Sequence, residues 1–527
     1  MVSNEVYTGA GASATLIPEM EFDVGVGMNQ TSGNLDINDS DLKTVDWALT
    51  SANVDKRLVA DILTGCMAKV TVFQSNNSTV RTAEQVLMIK TNTTNSISFN
   101  QDLTSVAADR ARVVIQPFGA PLFRPTSTAS KEYLLSDGWL GLVNSITAPT
   151  ITVDNKQMNL AVGGTRDFRY QFKGRETVGN GSLDVSVNSG VWLYYALGEM
   201  TISGTTDNAE TLESAKVDED CLYLDITSGK NTKLRRAIKG TGNAITILPP
   251  LLATDTDSAS EKVTAVVSSG VPVLSNNLTY TFTPTNGPVL PSFALELTHE
   301  KSSQTLTVGV DAKPSDNIMS KIYTGCQVNS LTLSFEEGME LKSNVDFLAR
   351  RVFDAPEGYV PKTGEPDVSK LMNFNSDQGA NKPFLFSDGE IRIFGQEYAR
   401  VKSGTLTITN NLTPHSFIGN YNREITSAQT AGQRMYELSL NLLITDSKIW
   451  DKLREDDEAQ NQADGDLISL IFTKNTNEKI TLTLDNYVVT NVDIPFPEDK
   501  GALEATMTVA PRTLKTASYV GKWAIMG

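Results

Sequence analysis

The residues able to do chemistry are few, and their spacing suits none of it well. Gly9-Ala10-Gly11-Ala12-Ser13-Ala14 has glycines spaced to let a backbone approach a pyrophosphate. A dinucleotide site also needs a buried strand before the glycines and a helix opening at the third one. Only eight residues precede this segment and Pro18 follows closely, so it reads as a flexible N-terminal arm. Asp36, Asn38, Ser40 and Asp41 offer oxygen donors at calcium-loop spacing. Asp41, however, stands where that loop needs glycine, and Trp47 stands where it needs a bidentate glutamate. A solvated acidic turn is the simpler reading. His299 and His415 are the only histidines, and neither has a ligand partner at helical spacing or a nucleophile elbow beside it. No catalytic, cofactor-binding or metal-binding residue is assigned, no cofactor is expected, and the chain is not expected to be an enzyme.

The three cysteines, Cys66, Cys221 and Cys326, are too few for a disulfide framework, and Cys66 and Cys326 read as small buried residues. Asn77-Ser78-Thr79, Asn92-Thr93-Thr94 and Asn411-Leu412-Thr413 match the glycosylation sequon. Residues 1–20 lack a basic stretch followed by an apolar core, so these are expected to be coincidences in a chain made in a cytoplasm. No apolar run approaches the ~18 to 20 residues needed to cross a bilayer, and membrane binding is not expected. With 45 Lys and Arg against 62 Asp and Glu, the chain carries a formal charge of −17. Gripping nucleic acid depends on Lys and Arg displacing counterions, so sequence-specific binding is not expected. A negative surface past which DNA slides is compatible with the same charge.

The elements that would position any site are strands. Phe293 to Leu297, Leu331 to Phe335, Thr405 to Thr409, Tyr436 to Leu443, Leu467 to Phe472 and Ile480 to Leu484 alternate apolar and polar residues at period two. Two short helices are expected. One covers Gly190 to Gly198, with Val191, Trp192, Tyr195 and Ala196 on a core-facing stripe. The other covers Ser447 to Arg454 behind Asp446, with Ile449, Trp450 and Leu453 on one face. Val86 to Ile89 with Ser96 to Phe99, and Leu234 to Ile238 with Ala244 to Leu248, read as inserted hairpins. Residues 352–383 form a long polar loop rich in Pro, Gly, Asp and Asn, suited to an arm reaching another subunit. Thr254 to Ser258 and Glu455 to Glu458 are acidic clusters that keep loops wet.

The strands also repeat. Thr64-Gly65-Cys66 recurs as Thr324-Gly325-Cys326, an offset of 260 (324 − 64), each leading into a strand. Ile151-Thr152-Val153-Asp154-Asn155 resembles Leu406-Thr407-Ile408-Thr409-Asn410, an offset of 255 (406 − 151). Each of these blocks precedes a further strand by the same interval, Leu183 to Val187 and Leu438 to Leu442, and then Trp192 or Trp450. The fold class expected is all-β dominated, with two tandem β-sandwich or barrel domains, each with a flanking helix. The first would span residues 1–288 and the second 289–527, joined at Gly287-Pro288 and Pro291. Two copies of one surface pre-adapt a chain to rings and arrays.

Leu290 to His299, Ile322 to Ser334 and Asp346-Phe347 resemble the first half of tail tube proteins of long-tailed bacterial viruses. Tyr7 to Ala12, the run Tyr436 to Leu443, Asp446 to Arg454 and Leu467 to Phe472, and the ending through Tyr487, Pro495 and Ala505 to Ala510 are similar to the rest of that family. The resemblance implies packed β-sheets with a flanking helix, and sheets of neighbouring subunits joined into an inner barrel. It implies stacked rings forming the conduit through which viral DNA leaves the particle, without specific binding. Six single-domain subunits usually make a ring, so a two-domain chain would need three, a trimer with pseudo-sixfold symmetry. Partners would be further copies of the chain and the tail's terminator, tape measure and baseplate proteins, all in the virion tail. A tail terminator, distal tail or baseplate ring protein shares these implications except polymerisation. A carbohydrate-binding or adhesion β-sandwich is the alternative of another class.

Overall fold

The computed structural model describes residues 7–19, 22–24, 35–38, 40–47, 61, 63–75, 79–93, 95–105, 108–116, 118–119, 142–158, 167, 170–203, 223–226, 233–241, 244–248, 263–267, 278–301, 318–354, 382–393, 396–397, 400–416, 428–444, 467–475, 478–494 and 502–521. The chain opens with β1 (Tyr7–Pro18), β2 (Phe22–Asp23), β3 (Leu35–Ile37), β4 (Thr44–Asp46), β5 (Met67–Phe73), β6 (Val80–Asn92), β7 (Ser96–Phe99) and β8 (Arg110–Ile115). Next come β9 (Leu142–Thr147), β10 (Ile151–Met158), β11 (Tyr170–Val178), β12 (Asn180–Ser186), helix α1 (Val191–Leu197) and β13 (Gly198–Ser203). They are followed by β14 (Tyr223–Ile226), β15 (Lys233–Thr241), β16 (Ala244–Leu248), β17 (Val263–Val267) and β18 (Leu278–Pro284). Then β19 (Phe293–Lys301), β20 (Ile318–Glu336), β21 (Lys342–Leu348), β22 (Arg351–Asp354), β23 (Gly389–Ile393), β24 (Gln396–Glu397) and β25 (Val401–Thr409). The last are β26 (Thr413–His415), β27 (Ala428–Thr430), β28 (Met435–Leu443), β29 (Ile468–Asn475), β30 (Glu478–Asp493) and β31 (Glu504–Gly521).

Strand alternation does the sorting. In β20, Leu331, Leu333 and Phe335 are buried, while Thr332 and Ser334 point the other way and are half-buried. The main sheet runs β24-β23-β29-β30-β31-β28-β25-β20-β21-β12-β9, with β1 and β19 branching from β20 and β13 and β18 branching from β31. Its pairings are antiparallel. Long strands turn the corners. β20 pairs β19 and β22 through its first half, then β21 and β25 through its second. The change of partner falls at Gly325, whose φ of 63° is a conformation that side-chain-bearing residues rarely adopt.

Residues 35–115 contain a separate barrel. β8, β3, β4, β7, β6 and β5 pair in that order, and β5 pairs back onto β8 from Ala68↔Ile115 to Phe73↔Arg110. Closure removes the open edges that would invite aggregation. Val45, Val70, Val72, Ile89, Phe99 and Val113 fill its interior, and Ala294 of β19 and Ile322 of β20 join the same cluster. The barrel therefore sits against the main sheet. The hairpin read over 86–99 is its β6–β7 pair, with Ile89 opposite Phe99. The hairpin read over 234–248 is β15–β16, within a four-stranded sheet of β14 to β17.

The main apolar core collects Leu183, Val185 and Phe282 from one side of Gly287-Pro288, and Leu331, Leu406 and Tyr519 from the other. The helix read over Gly190 to Gly198 is α1, and its stripe faces that core. Trp192 meets the Phe293 ring edge-on at 5.6 Å between centroids, and Tyr195 meets it at 5.0 Å. Asn410, almost fully buried, donates to Ala196 O and Val328 O, both at 3.0 Å, and accepts from Arg434 Nε at 2.9 Å. Arg434 also donates to Leu197 O at 3.2 Å, so the free carbonyls at the end of α1 are satisfied by β25 and its neighbour.

The repeated segments occupy unlike places. Ile151 to Asn155 opens the exposed strand β10, whereas Leu406 to Thr409 ends β25, inside the main sheet between β28 and β20, and Asn410 follows it. The two Thr-Gly-Cys tripeptides do share a backbone feature, with φ of 77° at Gly65 and 63° at Gly325. The flexible arm expected around Gly9 to Ala14 is instead β1, paired with β19 from Ala12↔His299 to Pro18↔Phe293. A register shift between Tyr7 and Ala12 absorbs the glycines, and the ladder hydrogen bonds hold the segment. The helix expected over Ser447 to Arg454, residues 355–381 of the polar loop, Cys221 and the acidic clusters at 254–258 and 455–458 lie outside the described residues.

Candidate assembly surfaces

The residues first weighed for chemistry are scattered. Asn38 Oδ1 accepts from Ser40 N at 3.0 Å and Ser40 Oγ at 2.8 Å, while Asp41 Oδ1 accepts from Lys43 N at 3.1 Å. Asp36 pairs instead with Arg110. The oxygens are thus spent on an exposed turn between β3 and β4. His299 lies in β19, and His415 in β26 shares a 2.8 Å hydrogen bond with Thr430. Among the described residues no group of three His, Cys, Asp or Glu side chains could hold a metal ion. Asn92 is buried, with its Oδ1 accepting from Leu63 N at 2.9 Å, which makes that sequon a structural staple.

What the fold does concentrate is a broad polar sheet face. Cα partners place Thr147, Ser182, Asp346, Ser330 and Thr409 in one row across five strands. The next row holds Ser145, Asp184, Asn344, Thr332, Thr407 and Glu437. A third holds Lys342, Ser334, Thr405, Ser439, Thr508 and Asn491. A fourth holds Glu336, Ser403, Asn441, Thr506 and Asp493. Directly opposed residues share a face, and every second residue returns to it. The opposite face of the same strands carries Leu331, Leu333, Leu406, Leu438, Leu440 and Met507 into the core.

This face is hydroxyl-rich and acidic. The rows just named carry Asp184, Asp346, Glu336, Glu437 and Asp493 against Lys342, which lies 3.7 Å from Glu340. Partial burial raises the Asp346 carboxyl above its ordinary value. At the rim, a hydrogen bond from its own backbone N–H, helped by Lys342, holds Glu340 low, and Glu504 raises Lys402. Seven inter-strand spacings from β9 to β30 make the face roughly 34 Å wide.

A two-stranded ribbon leaves one side of this sheet. β9 pairs β12, and beyond Pro149 and Gly179 the same two chain runs continue as β10 and β11. Met158 opposes Tyr170 and Lys156 opposes Phe172, so Met158, Tyr170 and Phe172 share a face at the far end. They are 50%, 53% and 51% exposed, and Ile151 and Val153 nearer the base are exposed too. An isolated two-stranded hairpin is marginal in water, and exposed apolar clusters mark contact surfaces. At the two ends of the polar rows, β9 and the second half of β30 from Val488 to Asp493 each have a strand neighbour on one side only among the described residues, since β29 pairs only the first half of β30.

Alternation showed β20, β25, β28 and the start of β30 but not β9, β11, β21 or β31, and the coplanar rows depend on register between segments far apart in sequence. No helix among the described residues is long and apolar enough to cross a membrane. The family model described as phage tail tube protein matches residues 90–511. No curated protein matches the chain. A match over four-fifths of the length, on a β-dominated chain with acidic sheet rows and a projecting ribbon, places it: the chain belongs to the phage tail tube protein family, structural components of the virion tail.

Proposed function

We propose that the acidic, hydroxyl-rich face lines the bore of the tail tube and that the chain assembles as rings of three. The four polar rows carry this reading, because they form a broad surface suited to DNA in motion. Carboxylates repel phosphate, and hydroxyls keep the wall wet, with Lys342 the one cation in the rows and too little to arrest the duplex. Eight strands per chain give roughly 24 strands in a trimer, a circumference of about 115 Å and a backbone diameter of about 37 Å. That bore admits a duplex and its water.

Closure of such a wall requires each chain to pair its free β9 with the free half of β30 on the next chain. Backbone hydrogen bonds across that seam consume both edges. Each chain then fills two of six positions around the ring. The two Thr-Gly-Cys corners and the strand pair Leu183 to Val187 and Leu438 to Leu442 support that reading. The ribbon of β10 and β11 reaches the ring above or below, where its apolar tip is covered by another copy. Terminator, tape measure and baseplate proteins meet the two ends of the stack. Viral DNA traverses the bore unbound, and the chain is made in the host cytoplasm before joining the virion.

Cysteines introduced at Ser145 in β9 and Thr490 in β30 test the seam. Oxidation of assembled tubes should yield closed covalent trimers and no longer ladder. Absence of any inter-chain crosslink in tubes that assemble normally contradicts the seam. A ladder beyond three contradicts the trimer.

A further inference from the structure

Both chain crossings between the barrel and the main sheet meet at one buried carboxylate, Glu19. It follows β1, where the chain leaves the sheet for the barrel, and is 4% exposed. Oε1 accepts the Gly325 N–H at 2.8 Å. Oε2 accepts the Gly119 N–H at 2.9 Å and meets the Ser292 hydroxyl at 2.6 Å. Gly119 follows β8, where the chain leaves the barrel. Gly325 belongs to β20 and Ser292 precedes β19, so one side chain ties the barrel's entry and exit to the sheet.

A second buried side chain crosses the same seam. Arg350, between β21 and β22, places Nη1 at 3.2 Å from Cys66 Sγ and 3.3 Å from Phe118 O. Its guanidinium carbon stands 5.2 Å from the centre of the Phe118 ring. Arg351 donates to Asp61 O at 3.2 Å. Gly119 adopts φ +77°, and a Cβ there would fall 2.1 Å from Arg350 Nη1. The seam closes tightly enough to require glycine.

We propose that this seam is a proton-operated joint: the Glu19 carboxyl sets how firmly the barrel is held to the sheet, tightly when protonated and more loosely when ionised. Backbone N–H groups can only donate, so neither glycine can receive a proton from Glu19. The Ser292 hydroxyl can rotate. At 2.6 Å it donates to the carboxylate, and on protonation it can instead accept from the carboxyl O–H, with the proton on Glu19 Oε2. The titratable and charged groups that interact with Glu19 are Arg350 on the sheet side, Cys66 beside the barrel and Cys326 on β20, with Arg351 next to Cys66 and Tyr323 next to Cys326. Burial raises both thiols and the Tyr323 hydroxyl, so they stay neutral and the arginines are the fixed charges.

The direction follows from linkage. Burial pushes the Glu19 carboxyl up to about 7, against the opposing pull of Ser292, the Gly325 and Gly119 amides and Arg350. Released into water, the group returns to its ordinary 4.5. A raised value in the docked state means docking is at full strength below pH 4.5 and weakens as pH rises to about 7, then stays level. Tenfold per pH unit across that window weakens the joint by up to roughly a few hundredfold.

Amide hydrogen exchange on the full-length subunit tests this, from about pH 5 to about pH 8, corrected for intrinsic exchange. Protection at Gly119 and Gly325 should fall by up to about a hundredfold across that range, while Leu331 and Leu406 in the main core hold steady. In Glu19→Gln, which cannot ionise but whose amide nitrogen leaves one of the two glycine N–H groups without its acceptor, protection at the two glycines should no longer change with pH. Flat protection in the wild type overturns the proposal, as does a Glu19→Gln curve that falls like the wild type's. Should that variant fail to fold, the wild-type curve decides by itself: a fall at the two glycines with a steady core supports the joint, and a flat curve overturns it.

Discussion

Removing the apolar tip of the ribbon should abolish assembly while leaving the subunit intact. Tyr170 and Phe172 are 53% and 51% exposed in the single chain. A large aromatic side chain covers about 150 to 250 Å² when buried, so each ring still has about 80 to 125 Å² to hide. At about 25 cal/mol per Å², covering each on a neighbouring copy contributes about 2 to 3 kcal/mol. Phe172→Ser should therefore raise the critical concentration for tube growth by roughly 30- to 150-fold, since about 1.4 kcal/mol is tenfold. Tyr170→Ser combined with it should raise the value by about 10³ or more, beyond working concentrations. The folded subunit loses little, because these rings touch no core. Its unfolding free energy should move by no more than about 0.5 kcal/mol. Sedimentation of tubes gives the first quantity, and urea unfolding of unassembled subunits gives the second. An unchanged critical concentration refutes the role of the tip. A subunit destabilised as much as assembly is weakened refutes the claim that the tip is free until rings stack.

Other substitutions probe the wall and its core. Phe293→Ala removes the ring that joins Trp192, Tyr195 and Phe347, and should cost about 3 to 5 kcal/mol in urea unfolding. Asn410→Ala strips two carbonyls and Arg434 of a buried partner and should cost about 2 to 4 kcal/mol by the same measurement, despite removing only a few atoms. Asp184→Lys with Asp346→Lys puts cations on the polar rows. Tubes should still form under the electron microscope, but DNA release from particles carrying them should slow, most strongly at low salt. Lys402→Ala removes a solvent-screened partner of Glu504 and should leave the urea midpoint where it is.

Much of the architecture could be read from alternation alone. Leu331 to Phe335 and Tyr436 to Leu443 declare one apolar face and one polar face, and α1 declares its stripe through Trp192 and Tyr195. Alternation does not say which strand lies beside which. A barrel was among the folds expected, but which strands close it was not legible for that reason, since β5 and β8 meet through residues such as Val70 and Val113 that lie far apart in the chain. The same limit misled the comparison of Ile151 to Asn155 with Leu406 to Asn410. A β-branched residue at every second place fits an exposed ribbon as well as a central strand. The Thr-Gly-Cys match was more informative, because a left-handed glycine marks a corner wherever it occurs. Glu19 left no trace in the sequence. Its partners are two backbone amides and one hydroxyl, and nothing about Gly119 or Gly325 as residue types announces a carboxylate.

The central claim is that three copies surround a bore lined by the polar rows, and a cryo-electron microscopy reconstruction of assembled tubes tests it most directly. Threefold rings with Asp184, Asn344, Thr332 and Thr407 facing the axis are the predicted result. Six chains per ring, or those residues on the outer wall, would contradict it.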